Sequence, residues 1–275
     1  MTFLFNQLSR LPLWFLHGTG WAMGWLAFLF SRSYRKRFLA NGALAGYRFG
    51  RLCAAVGGAG RMVAELPRLW LGEPAPCLWD NAACVDRAYA AGRGVVFLTP
   101  HLGCFEVTAQ ALAQRYGPRY GPLTVLYRPA RQPWLARLMA RARNRPGLHT
   151  APTSLAGVRQ MLRALRQGHA VGLLPDQVPP EGMGLWAPFF GRDAYTMTLS
   201  ARLAQQTGAV LLLLWGERLP FGRGFRLHFR ELARPLATEL DAALVQINQE
   251  MERLIRECPQ QYLWGYARYK MPRAG

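Results

Sequence analysis

The chain has 275 residues, 51% of them apolar and 18% charged, so it can bury one sizeable core and is neither disordered nor an all-membrane bundle. Its net charge of +19 at pH 7 predicts an anionic partner, such as anionic lipid, an acidic protein or nucleic acid. The five cysteines have neither C-x-x-C nor zinc-type spacing, so we expect reduced thiols and no metal site.

The first element in the chain is a predicted membrane anchor over residues 1–37. Residues 11–30 carry no formally charged side chain, and twenty helical residues reach across a hydrocarbon core of about 30 Å. The basic cluster at residues 32–37 favours a cytoplasmic location for everything downstream. We expect the segment to span the bilayer or to lie deep in its interface; a buried core helix is the alternative.

Residues 38–275 are predicted to form one α/β domain. Apolar spacing indicates one or two helices over 38–71 and a short helix from about 80 to 91. Continuous apolar strands then alternate with helices, which is typical of a mostly parallel sheet covered on both faces. The predicted strands are 94–100, 123–129, 170–177, 209–218 and 224–231, and the later predicted helices are 104–117, 133–144, 154–168, 196–208 and 237–259.

Two details of this domain are less regular. The strand over 224–231 is polar and alternating, so we expect it at an edge of the sheet. The apolar segment 182–191 is read as a loop that either lines an acyl groove or packs on the core or lipid.

Polar residues follow several predicted strands where each strand ends. His101 follows the apolar run "VVFLTP", Arg128 follows "LTVLY", and Asp176 with Gln177 follows "AVGLLP". Ligands of open α/β sheets bind beyond the carboxyl ends of the strands, so these side chains could meet at one rim. The alternative is that strands simply end in polar loops.

The stretch "TPHLGCFE" places His101 five residues before Glu106. Residues five apart on one helix point away from each other, so the two can meet only if His101 lies in the turn and Glu106 in the first helical turn after it. A carboxylate behind an imidazole fixes its tautomer, and the histidine can then take a proton from a hydroxyl that attacks an acyl group. The spacing alone is a weak signal, because chance supplies it readily.

Other chemistries have less support in the sequence. No G-x-S-x-G elbow, Walker lysine loop or G-x-G-x-x-G after a strand is present. A non-catalytic, membrane-tethered protein that binds anionic lipid or nucleic acid is a remote alternative, suggested by the charge alone.

The motifs "HLGCFE", "LYRP", "LLPDQ", "FFGRDA" and "WGYARYK", in this order, resemble the late acyltransferases of lipid A biosynthesis, the His-x4-Asp/Glu enzymes of the Kdo-lipid A lauroyl/myristoyl transferase type. The resemblance implies a glycerolipid acyltransferase-like α/β fold behind an N-terminal hydrophobic helix. It implies a location on the cytoplasmic face of the inner membrane. It also implies transfer of a fatty acyl group from acyl carrier protein to a hydroxyl of a lipid A precursor.

The resemblance assigns catalytic roles to three residues. His101 would be the general base, Glu106 its orienting partner, and Arg128 would lie near the oxyanion or an acceptor phosphate. An acyl thioester is already activated, so no cofactor is expected beyond the acyl donor.

Four further residues are implied to bind substrate. Asp176 and Gln177 would be structural or would bind the acceptor, while Arg268 and Lys270 would contact phosphate or membrane. The chain departs from the family pattern at "YRPARQP" and at Tyr266, where a histidine is usual. Another glycolipid or a lysophospholipid, with acyl-CoA as donor, therefore stays open as an alternative, and no nucleic-acid partner is expected.

Overall fold

The structure is a computed structural model that describes residues 2–127, 132, 134, 136, 138–139 and 145–273. Its helices are α1 (Thr2–Ser9), α2 (Leu13–Phe30), α3 (Arg32–Leu44), α4 (Phe49–Ala64), α5 (Leu66–Leu71), α6 (Ala82–Ala90), α7 (Phe105–Tyr120), α8 (Leu155–Arg166), α9 (Leu199–Thr207) and α10 (Leu240–Glu257). Its strands are β1 (Cys77–Asp80), β2 (Val95–Leu98), β3 (Leu123–Tyr127), β4 (Leu148–Pro152), β5 (Ala170–Leu173), β6 (Gly184–Phe189), β7 (Arg192–Met197), β8 (Val210–Arg218) and β9 (Phe225–Glu231). The helix predicted over 133–144 falls mostly outside the described residues.

Seven strands form one central sheet in the order β1-β9-β8-β2-β5-β3-β4. Every neighbouring pair is parallel except β8 and β9, which form an antiparallel hairpin. The prediction of a mostly parallel α/β sheet flanked by helices is therefore confirmed.

Two strand predictions were wrong. Strand β9 does not lie at the edge, because β1 pairs with it in parallel. Strand β1 has only four residues and no fully buried position, so it lacks the apolar run that identifies a buried strand. The segment 182–191, read as a loop, contains β6, which pairs with β7 in a separate antiparallel hairpin.

The core lies on both faces of the sheet, and the strands divide their side chains between the two. In β2, Val95 and Phe97 belong to the cluster beneath α6 and α7, whereas Val96 and Leu98 belong to the cluster beneath α8, α9 and α10. This follows from the alternation of side chains along a strand and explains why β2 is apolar at every position.

Helix α2 packs against α4 along a seam of glycines. A Cβ on Gly24 would meet the carbonyl oxygen of Val56, and a Cβ on Gly60 would meet the carbonyl oxygen of Gly20, so neither position has room for a side chain. The glycines that weaken this segment as a spanning helix thus allow two backbones to pack in contact. None of the helices in the described part of the chain combines the length and apolarity needed to cross a membrane.

Candidate active site

The turn that carries His101 begins where β2 ends and is held by backbone hydrogen bonds to residues 261–263. The N–H of Leu263 donates to the carbonyl of His101 (3.2 Å), and the N–H of Gly103 donates to the carbonyl of Gln261 (3.0 Å). Gly103 has φ +58°, and a Cβ there would meet the carbonyl oxygen of Gly216 in β8. Only glycine fits this position, so the turn is fixed both by its conformation and by its contacts.

Asp176 holds His101 with both carboxylate oxygens. Its Oδ1 lies 2.7 Å from Nδ1 of the imidazole, and its Oδ2 accepts the backbone N–H of His101 at 2.9 Å. Asp176 is 2% exposed, whereas the His101 side chain is 15% exposed. A carboxylate only accepts, so Nδ1 carries a hydrogen toward Asp176, and the other ring nitrogen, Nε2, is left to accept a proton.

The second ring nitrogen faces a neutral group. The Nε2 of Gln177 lies 3.0 Å from Nε2 of His101, which suits an amide N–H donating to the imidazole lone pair. Gln177 is partly exposed and follows Asp176 directly, so one short loop supplies both partners of the ring.

Asp176 is an ionised carboxylate within the core. Burial alone would raise its pKa, but His101 and the hydrogen bonds from its ring and backbone hold the pKa of Asp176 below the usual carboxyl value. Arg268 contributes to this lowering by its positive charge.

Strand register explains why His101 and Asp176 meet. Strands β2 and β5 are parallel neighbours, with Leu98 opposite Leu173. His101 and Asp176 each lie three residues beyond this matched pair, and each directly follows a proline, in "LTPH" and "LLPD". The prediction that polar residues from successive strands meet at one rim is confirmed for this pair.

Glu106 does not hold Nδ1 of His101, which contacts Asp176 instead. Glu106 is buried in the first turn of α7 and accepts a hydrogen bond from Nε1 of Trp70 at 3.3 Å. It lines an apolar cavity with Phe105 among others. The placement of His101 in a turn and Glu106 in the following helix is confirmed, but the carboxylate at the imidazole comes from the neighbouring strand. Sequence reasoning had given Asp176 only a structural or acceptor-binding role.

The other predicted site residues lie in different surroundings. Arg128 lies outside the described residues. Arg268 is buried, donating to the carbonyl of Tyr195 at 2.6 Å and the hydroxyl of Thr196 at 2.7 Å. Lys270 is exposed, with its Nζ 5.2 Å from the centre of the Tyr266 ring.

A second buried histidine–carboxylate cluster lies beside the end of β8. Glu65 accepts two hydrogen bonds from Arg218, at 2.6 and 2.8 Å, and its Oε2 lies 3.0 Å from Nε2 of His17 in α2. Burial would raise the pKa of Glu65, but the positive charge of Arg218 and the hydrogen bonds of both partners lower it to about 2. This cluster ties α2 to the central sheet.

The fold and the site together define a class. A turn at the carboxyl edge of a mostly parallel sheet presents an imidazole whose Nδ1 contacts a buried carboxylate and whose Nε2 faces a neutral amide. This is an α/β protein with a histidine–carboxylate pair at the carboxyl edge of its sheet.

The particular family follows from comparison with known sequences. The family described as bacterial lipid A biosynthesis acyltransferase matches residues 64–271, about three quarters of the chain. The chain belongs to this family, which confirms the resemblance seen in its motifs.

Individual relatives are more distant. The chain is 26% identical over 196 residues to the lipid A biosynthesis palmitoleoyltransferase of Escherichia coli strain K12, an alignment of 70% of this chain and 62% of that protein. It is 28% identical over 180 residues to the lipid A biosynthesis lauroyltransferase of the same strain, covering 64% of this chain and 55% of that protein. The chain thus spans 55–62% of the length of these two relatives.

Proposed function

We propose that this protein is an acyltransferase that moves a fatty acyl group from acyl carrier protein to a hydroxyl of a lipid A precursor. The observation that carries the proposal is the imidazole of His101, held through Nδ1 by Asp176 and directed through Nε2 toward a partly exposed, neutral partner. The names of the relatives support lipid A as the acceptor and a fatty acyl group as the cargo.

The proposed chemistry begins with proton transfer to His101. As the acceptor hydroxyl attacks the thioester carbonyl, its proton passes to Nε2, and the Asp176 carboxylate stabilises the imidazolium that forms. The tetrahedral intermediate then collapses to an ester and releases the carrier thiolate, which takes the proton back from Nε2. The thioester supplies its own activation, so the roles required of the protein are a base, oxyanion donors and correct positioning.

Gln177 has a defined part in this scheme. Its amide occupies Nε2 of His101 at 3.0 Å, where the acceptor hydroxyl must arrive. We assign Gln177 to substrate binding. When the acceptor hydroxyl takes the place of the Gln177 amide at Nε2 of His101, the amide turns to hydrogen-bond the acceptor. Arg128 keeps its predicted role near the oxyanion or an acceptor phosphate, and Lys270 keeps its predicted contact with phosphate or membrane.

The positive field supports both proposed partners. A net charge of +19 attracts an acidic carrier protein and a phosphorylated lipid. The exposed side of α2 is apolar and includes Trp14, Leu26 and Phe30. A helix with an apolar outer side suits a lipid interface, so we propose that α2 holds the protein on the cytoplasmic face of the inner membrane.

The direct test is a transfer assay with purified protein. The full chain is incubated in detergent with acyl carrier protein charged with one defined fatty acid and a lipid A precursor, and the lipid is analysed by mass spectrometry. A mass increase of one acyl group supports the proposal. Parallel reactions with acyl-CoA and with lysophospholipid distinguish the alternative substrates, and transfer to lysophospholipid alone would replace lipid A as the acceptor.

A further inference from the structure

The turn between β8 and β9, residues 219–224, displays an aromatic side chain to solvent in an unfavourable backbone conformation. Phe221 is 87% exposed and has φ +58° and ψ +25°, in the left-handed region. Bulky residues rarely adopt this conformation, for which glycine or asparagine is better suited. Neither burial nor local backbone preference therefore accounts for a phenylalanine here.

The turn leaves the same edge of the sheet that carries the candidate active site. Strand β8 is parallel to β2, with Leu213 opposite Leu98. Parallel strands end on one edge, so the chain leaves β8 at Arg218 on the edge where the turn of His101 lies.

The turn is continuous with the apolar side of α2. Gly222 packs against the backbone of Leu13 and Trp14 so closely that a Cβ there would overlap Trp14. Trp14 is itself 61% exposed. Phe221 thus extends the exposed apolar side of α2 onto a second, independent segment of the chain.

Cationic side chains flank this combined surface. Arg10, just before α2, and Arg223, within the turn, are exposed, and Arg32 and Lys36 are exposed just after α2. Exposed aromatic side chains bordered by arginine and lysine match a bilayer interface that contains anionic lipid, where aromatic rings sit at headgroup level and cations meet the phosphates.

We infer that Phe221 is a second membrane-contact element, inserted beside α2 into an anionic bilayer so that the edge bearing His101 faces the lipid. The inference rests on the proposed membrane attachment of α2 and adds a contact that fixes the orientation of the protein. A hydroxyl of a membrane-embedded acceptor would then approach Nε2 of His101 from the bilayer side.

The test is a vesicle titration with the full chain. Binding is measured by co-sedimentation with vesicles of phosphatidylethanolamine and phosphatidylglycerol and, at the same total lipid, with phosphatidylcholine vesicles. Phe221→Asn removes the ring and suits the left-handed backbone, and we expect it to raise the lipid concentration for half-binding to the anionic vesicles about tenfold. Phe221→Trp should retain binding.

The matched control is Leu78→Asn, which removes an exposed apolar side chain from β1. We expect this control to bind within about twofold of the wild type, and Phe221→Asn to have an unchanged or higher thermal unfolding midpoint. If Phe221→Asn is poorly folded, Phe221→Gly, which is free of strain at this φ, replaces it.

Three results would overturn the inference. The first is equal vesicle binding by Phe221→Asn and the wild type. The second is an equal loss of vesicle binding in Phe221→Asn and Leu78→Asn. The third is a change of oligomeric state in sedimentation velocity without a change in vesicle binding, which would assign the surface to a second copy of the chain. The titration does not depend on acyl transfer. A failed transfer assay therefore rejects the proposed function but leaves the vesicle-binding result unaffected. Equal vesicle binding of Phe221→Asn and wild type rejects the role of Phe221 but leaves the proposed acyl transfer unaffected.

Discussion

Two histidines of this protein contact buried carboxylates at nearly the same distance but in very different surroundings. His101 meets Asp176 at 2.7 Å, and His17 meets Glu65 at 3.0 Å. The carboxylate of Glu65 also forms a bidentate ion pair with Arg218. The second carboxylate oxygen of Asp176 instead accepts a hydrogen bond from the backbone N–H of His101.

This difference separates a structural cluster from a site that can perform chemistry. The permanent charge of Arg218 already neutralises Glu65, so the carboxylate of Glu65 is committed to the arginine rather than to His17. The main charged partner of Asp176 is His101, and the far nitrogen of His101 faces a neutral amide at a partly exposed position. A histidine–carboxylate contact therefore suggests catalysis only where the carboxylate is committed to the histidine and the other nitrogen can be reached.

The largest expected effect is that of removing the proposed base. His101→Ala should lower the acyl-transfer rate about ten-thousandfold, because the attacking hydroxyl loses its proton acceptor. His149→Ala is the matched control, since His149 is exposed and has no assigned role. The effect is measured as the single-turnover rate of acyl transfer, and an unchanged circular dichroism spectrum shows that the variant is folded. A near-normal rate in His101→Ala would show that His101 is not the base.

Replacing each of the two candidate carboxylates by its amide tests which one orients the imidazole of His101. Asp176→Asn should cost about a thousandfold in rate, because an amide can donate to Nδ1 and so favours the wrong tautomer. Glu106→Gln should cost much less, because Asp176 contacts the ring and Glu106 contacts Trp70. The same transfer assay decides the matter, and the opposite ranking would return the orienting role to Glu106.

The structural cluster should affect stability rather than chemistry. Arg218→Met leaves the buried charge of Glu65 uncompensated and should lower the free energy of unfolding by about 3 kcal/mol. Arg87→Met breaks a solvent-exposed ion pair with Glu231 and should lower the free energy of unfolding much less. Urea denaturation compares the two; equal losses would mean that the buried cluster is no more important than a surface pair.

The lowered pKa of Glu65 predicts acid sensitivity. Its pKa of about 2 in the folded protein lies below the usual value of 4.5, so its contribution to stability is complete above about pH 4.5 and is lost as the pH falls toward 2. By pH 3 the loss attributable to Glu65 should be about 2 kcal/mol.

Urea denaturation of wild type and Glu65→Gln between pH 6 and pH 3 isolates this contribution. Asp176 and the other carboxylates titrate in both proteins, so only the difference between the two slopes belongs to Glu65. Parallel slopes would contradict the assignment.

The smallest expected effect tests the amide at Nε2. His228 shows the contrasting arrangement, with Asp80 at 2.8 Å from one ring nitrogen and Glu217 at 3.0 Å from the other. Gln177→Glu would give His101 a carboxylate at each nitrogen, which favours the protonated ring, and should lower the rate at neutral pH about tenfold. Gln177→Ala should cost only about twofold. Initial rates measure both; a larger loss in Gln177→Ala would show that the amide itself is required.

Several elements of the fold could be read from the sequence because their signals are local. The apolar runs of β2, β5 and β8 and the helical spacing of α8 and α10 predict a covered, mostly parallel sheet. The breaks at Pro100 and Gly103 predict that His101 lies in a turn. Strands β1 and β4 and the β6–β7 hairpin were not found, because a short, half-exposed strand is stabilised by its partner and not by its own pattern.

The sequence by itself determined that His101 follows a buried strand and that Asp176 follows another. Which carboxylate reaches the imidazole was decided by tertiary structure, because it depends on β2 and β5 being neighbours in register. The nearest acid along the chain, Glu106, belongs to the helix behind the turn, while the acid nearest in space is 75 residues away. Side-chain contacts between strands are set by the order of strands in a sheet, and that order is a property of the whole core.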